Sequence, residues 1–353
     1  MKKSKNKYVA YVSTYTMKHK NGITIFDVDE EKGTLYERGN VEITNSSYLT
    51  CSHNDLFLYA ITDLGVKGFK ILKDGNLEEI NTASINGMRG CYLSTDYEDR
   101  FLFVAGYHDG KITALRLNED GSIGEITDEI FAKGIGDVFD RSFRPHLNCV
   151  KMSRDNRYLF AADSGMDHVN VYELNHETGK LKHIDTIRSE VDSGPKHILF
   201  SKNGKYFFIL HEIKNIVDVY EYKIIDDVPE FEKIQTVSTI YEKNSGRNVS
   251  CALKLSSDGQ YLLSSNSGDN SVVAFRIDEN TGMLQRVFCL PISGTYPKDA
   301  CLFPDLKHLV SLNNESDTMT FFNVDLEKGL IAMCSKEVKI EKPNCIIFYK
   351  IEE

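Results

Sequence analysis

Short runs of Val, Ile, Leu, Phe and Tyr recur along the chain, separated by Asp-Gly, Asn-Gly or Thr-Gly turns. Runs of that length between such turns predict β-strands, and no long stretch with helical spacing competes with them, so the fold class is all-β. Superposed, the runs share one order: a small or proline-containing start, an apolar strand, a polar turn, a second apolar strand, a polar break, and a third strand ending in a charged turn. The clearest copies begin at Arg144 (RPHLNCVKMSRDNRYLFAADSGMDHVNVYEL), Gly194 (GPKHILFSKNGKYFFILHEIKNIVDVYEY), Asn248 (NVSCALKLSSDGQYLLSSNSGDNSVVAFRI) and Tyr296 (YPKDACLFPDLKHLVSLNNESDTMTFFNV). Weaker copies begin at Ser46 and Gly87.

The two ends complete one more copy. KPNCIIFYKIEE, from Lys342, matches a first strand, whereas YVAYVSTYT and GITIFDV near the start match a second and a third. Pairing them in one sheet gives seven units of about 50 residues, the size of a four-stranded propeller blade, and leaves no long edge unpaired. Residues 1–353 are therefore expected to form a single seven-bladed β-propeller domain, its ring closed by pairing of N- and C-terminal strands. The chain has no tryptophan, so the Trp-Asp dipeptide of WD repeats is missing, and it has no Gly-Gly pair of the kelch type.

With 52 acidic against 42 basic residues and a net charge of -10, a nucleic-acid or anionic-membrane partner is not expected, because such surfaces need a basic face. A small anionic ligand in a local basic pocket stays open. The opening MKKSKNKYVAYVSTYT lacks the apolar run of a signal peptide, and no stretch approaches the roughly 20 apolar residues that span a bilayer. A cytoplasmic protein is expected. The eight cysteines contain no CxxC pair, which in a reducing compartment makes them free thiols packed as small apolar residues.

In a propeller blade, first-strand starts and second-strand ends meet at one mouth of the central channel, where loops from different blades converge. Alignment on the proline puts Ser47, Arg89, His146, Lys196, Lys298 and Asn344 at matching first-strand starts, with Arg144, His197, Arg247 and Asp299 beside them. Second-strand ends supply Glu212 and Ser267 among others. Taken singly, each is an ordinary solvated loop residue. Together, the cations from several blades create a field attractive to a phosphate or carboxylate.

The Gly-Pro-basic-His and His-Glu segments, in this blade order, resemble the seven-bladed lactonase family that includes the propeller-type bacterial 6-phosphogluconolactonase and the fungal carboxymuconate-lactonizing enzyme. The resemblance covers essentially the whole chain. It implies a site without metal or cofactor, built from a His, two Arg and a Glu, acting on a small anionic sugar lactone in the oxidative pentose phosphate route. His146 in RPH and Glu212 in HEIKN match that pattern, whereas Lys196 stands where the family has Arg, Ser267 where a second Arg is common, and Lys298 at another frequent Arg. Lysine keeps the charge but loses the planar fork of arginine, and serine removes the charge.

Opening a lactone needs a base for the attacking water, a donor for the developing oxyanion and an anchor for the acid group. The catalytic candidates are His146 or Glu212 as base, with Glu212 alternatively orienting the imidazole, and Lys196 at the oxyanion or a phosphate. Arg144, His197, Arg89, Arg247, Lys298 and Ser267 are the substrate-binding candidates. A non-catalytic propeller binding a small acid or a protein, and a cycloisomerase or lactonase of a muconate-type acid, are the alternatives. Cys149 and Cys251 lie on channel-lining strands, where packing outweighs a nucleophilic role. HEIKN carries Asn at 215 where a HExxH zinc motif needs its second His, and the P-loop, GxGxxG and GxSxG motifs are missing.

Overall fold

The computed structural model describes residues 8–16, 22–134, 144–241 and 248–351. The described residues form seven antiparallel sheets whose four main strands each follow the same order from the axis outwards. The inner strands of adjacent sheets neighbour one another in a closed circle, so the fold is a seven-bladed β-propeller. Blade 1 is shared by the two ends of the chain: Pro343–Lys350 is its inner strand and pairs along Tyr8–Thr14. Blades 2 to 7 begin with inner strands at Leu49, Tyr92, Leu147, Pro195, Ser250 and Pro297.

Burial explains the pattern of each run. Second strands such as Phe57–Thr62, Phe101–Gly106, Tyr158–Asp163 and Tyr206–His211 are buried at every position, because both faces are covered by neighbouring blades. They therefore read as continuous apolar runs. Outer strands such as Leu181–Arg188 alternate towards solvent and read as amphipathic. The core lies between blades; Phe160 of blade 4, for instance, packs edge-on against Phe200 of blade 5 at 5.1 Å between centroids. A repeated serine fixes the turn from inner to second strand. Ser153, Ser201 and Ser256 each accept the backbone N–H of the tyrosine five residues on, at 3.0, 3.0 and 2.9 Å.

No helix among the described residues is long and apolar enough to cross a membrane. All eight cysteines are free.

Candidate functional site

A cavity of about 620 Å³ opens at the mouth where inner strands begin and second strands end. Its position follows from a recurring β-bulge. In blade 4, Leu147 pairs with Asp163 and Cys149 with Ala162, which leaves Asn148 unpaired between them. The same irregularity frees Lys196 in blade 5, Lys298 in blade 7 and Asn344 in blade 1. A bulge re-aims the extra side chain, and all four of these residues line the cavity.

The central feature is an ion pair. Lys196 Nζ lies 2.7 Å from a carboxylate oxygen of Glu212, which follows the second strand of the same blade. Glu212 is fixed by its own N–H, which donates to the Gly194 carbonyl at 2.8 Å. Burial works against the Lys196 ammonium, but the adjacent Glu212 carboxylate outweighs it and holds the pKa above the usual lysine value. Lys298 has no such carboxylate at contact distance, and burial together with the Lys196 charge lowers its pKa.

His197 also lines the cavity. Burial, reinforced by Lys196, Lys254 and Lys298, pushes its pKa well below the ordinary histidine value, so the ring is neutral at pH 7. Its Nδ1 accepts the Leu253 N–H at 3.1 Å, which leaves the ring proton on Nε2. With His197 neutral, the charged lining residues are Arg89, Lys196, Lys254, Lys298 and Lys342 against Glu212, Asp299 and Glu315. Cations outnumber carboxylates here in a chain that is acidic overall, a local field that favours an anionic ligand.

The remaining sequence candidates fall in different places. Arg89 is on the cavity wall, where it pairs with Asp63 at 3.0 Å and stacks on the Tyr15 ring at 4.5 Å. His146 stands behind the wall: its ring stacks on Tyr107, a lining residue, at 4.3 Å. His146 Nδ1 is 2.8 Å from the Tyr107 carbonyl oxygen, so in the neutral ring Nδ1 carries the proton and Nε2 has the free lone pair. Strand pairing explains the placement, since Asn148 and not His146 is the blade-4 counterpart of Lys196. Arg144 is exposed on the rim. Ser267 is buried, its hydroxyl donating to the Val249 carbonyl at 3.1 Å. Arg247 lies outside the described residues.

Three lining residues carry more of the site than the sequence suggested. Tyr296 and Lys254 were not singled out, and Asp299 figured only as a neighbour of Lys298. Cys149 is buried and its thiol is pushed up to about 12, which removes it as a nucleophile at neutral pH.

This arrangement can hold a carboxylate or phosphate among its cations and offers one carboxylate, Glu212, at the cationic centre. Fold and site together define a β-propeller with a cation-rich cavity at one mouth of its channel. The sequence matches the family described as lactonase, 7-bladed beta-propeller, over residues 9–348, and the chain belongs to that family and is a lactonase, an ester hydrolase. It is 30% identical to a 6-phosphogluconolactonase of Bacillus subtilis, across 97% of this chain and 98% of the relative. An uncharacterized protein of Staphylococcus saprophyticus is 31% identical across 96% and 99%. Among solved structures, the periplasmic gluconolactonase of Pseudomonas aeruginosa superposes with a TM-score of 0.89 at 26% identity, across 98% and 99% of the two chains.

Proposed function

We propose that this protein opens a sugar-derived lactone bearing an anionic group, 6-phosphogluconolactone foremost, at the Lys196–Glu212 centre. The observation that carries this reading is the 2.7 Å pair itself, a carboxylate held against an ammonium in a cavity rich in further cations. The 30% identity to the Bacillus subtilis enzyme supports the choice of substrate.

In the proposed reaction, water attacks the lactone carbonyl and gives its proton to Glu212. Lys196 stabilises the oxyanion that forms, and Lys298 with Arg89 anchors the distal acid group. Collapse of the tetrahedral centre breaks the bond to the ring oxygen, which leaves as a hydroxyl after taking the proton back from Glu212. The product is the open hydroxy acid. Glu212 is the preferred base because it faces the cavity, whereas His146 reaches it only across Tyr107. The eight free thiols support a reducing compartment such as the cytoplasm.

The test is the rate of 6-phosphogluconolactone opening with purified protein. We expect a rate well above the spontaneous one, falling towards it in Glu212→Gln. A wild-type rate equal to background sinks the reading, and activity lost in His146→Gln but kept in Glu212→Gln moves the base to His146.

A further inference from the structure

Three blades repeat one turn just before the inner strand. Gly194, Tyr296 and Lys342 each precede a proline, and each has a left-handed backbone, with φ of 65°, 59° and 43°. Each donates its N–H to an Asx side chain of the preceding blade: Asp167 at 2.8 Å, Asn270 at 2.8 Å and Asp317 at 3.0 Å. Each carbonyl accepts the N–H of a residue that follows a second strand, Glu212 at 2.8 Å, Asn314 at 2.9 Å and Tyr15 at 2.9 Å.

Glycine meets this requirement without strain, as Gly194 does. A residue with a Cβ is disfavoured in this region, most of all a bulky one, and a following proline pushes it further towards extended backbone. Tyr296 is therefore held in the turn against its own preference, and held strain of this kind gathers at functional sites. Lys342 is explained by its partners, since Nζ donates to the Asn314 carbonyl at 3.1 Å. The Tyr296 side chain instead lines the cavity, with Lys298 Nζ 5.4 Å from its ring centre. Its hydroxyl lies in the field of Cys251, Lys196 and Glu212 and beside Ser267, and burial raises its pKa, so it is an O–H donor at neutral pH.

Building on the lactonase reading, we infer that Tyr296 touches the substrate, its O–H donating to the C1 carbonyl oxygen beside Lys196 and strengthening as that oxygen becomes an oxyanion. The phenol gives directed donation without adding charge, which suits a centre where Lys196 already supplies the cation.

The test uses Tyr296→Phe, which keeps the ring and the turn, on 6-phosphogluconolactone and on unphosphorylated gluconolactone, with calorimetric binding of the two product acids. If the hydroxyl contacts C1, kcat falls about 10²-fold on both lactones with KM little changed, and both acids bind several-fold more weakly. Wild-type kinetics and binding in Tyr296→Phe overturn the assignment while leaving the lactonase reading intact, as does a loss confined to phosphorylated ligands. A wild-type protein that opens neither lactone and binds neither acid overturns the lactonase reading and this assignment together.

Discussion

Lys254 and Asp299, from the inner strands of blades 6 and 7, form an ion pair at 3.1 Å, and both also hold the backbone of Ile346 in the closing strand of blade 1. Lys254 Nζ donates to the Ile346 carbonyl at 3.1 Å, and Asp299 accepts the Ile346 N–H at 3.0 Å. Asp299 is 2% exposed. Burial works against the Lys254 ammonium, but the Asp299 carboxylate outweighs it and holds its pKa above that of a free lysine. Three blades are thus joined by two charges at the point where the ring closes.

Asp299→Asn should therefore destabilise the fold by about 3–5 kcal/mol, because it leaves Lys254 buried and uncompensated. Urea denaturation measures the loss. The Lys254→Met/Asp299→Asn double variant should be more stable than the sum of the single changes predicts, and strict additivity would show that the two charges do not interact.

Lys196→Met should lower kcat/KM by about 10²–10³-fold, with Lys196→Arg recovering part of it, since Arg restores charge but not the position of the ammonium. Steady-state kinetics with 6-phosphogluconolactone tests this. Equal loss in both variants would mean that charge at this position is not what matters.

Affinity for the phosphorylated product should fall on the alkaline side at a pH below the usual lysine range, because Lys298 loses its proton more readily than a free lysine. Lys298→Arg, which stays protonated, should flatten that limb. Binding titrations between neutral and alkaline pH decide it, and an unchanged limb in Lys298→Arg would assign it to another group.

His197 couples the site to stability. Its folded-state pKa is depressed, so below its unfolded value of about 6.5 the unfolded chain binds the proton more tightly and stability falls as pH falls. The contribution approaches 1.4 kcal/mol per pH unit, or about 2 kcal/mol between pH 6.5 and 5. Denaturation at pH 7 and pH 5 should show this loss in the wild type and a smaller one in His197→Gln, whose amide oxygen can still accept the Leu253 N–H.

Gly194→Ala should cost about 1–2 kcal/mol for its left-handed backbone. The new methyl would also sit 2.9 Å from Ile213 Cγ1 and 3.2 Å from Glu212 Cγ, pressing on the carboxylate. A fall in kcat larger than the stability loss explains, measured well below the melting temperature, is the expected sign of a displaced Glu212.

The blades were legible because burial on both faces of the second strands writes apolar runs directly into the sequence, and ring closure followed from matching KPNCIIFYK to a first strand. Lys196 and Glu212 were legible for the same reason, since they flank well-defined strands. His146 illustrates what periodicity cannot encode. Aligning prolines sets it level with Lys196, but strand pairing assigns that level to Asn148, two residues on. The reason is that Pro145 precedes Ser153 by two residues more than Pro195 precedes Ser201, a shift in the loop that leaves the hydrophobic pattern undisturbed. Tyr296 was concealed in another way: its importance lies in a backbone angle that residue identity opposes, and the only sequence trace is Asn270, standing where Asp167 and Asp317 cap the equivalent turns.

Terminal strand exchange also orders events during synthesis. The strand at Tyr8–Thr14 leaves the ribosome long before its inner partner, Pro343–Lys350, which is translated more than 300 residues later. Until then the Tyr8–Thr14 edge is an unpaired template that a neighbouring nascent chain could capture. Cells making this protein therefore depend on the late arrival of Pro343–Lys350 to protect Tyr8–Thr14, and a ribosome stalled shortly before Pro343 would release a wheel with an open rim.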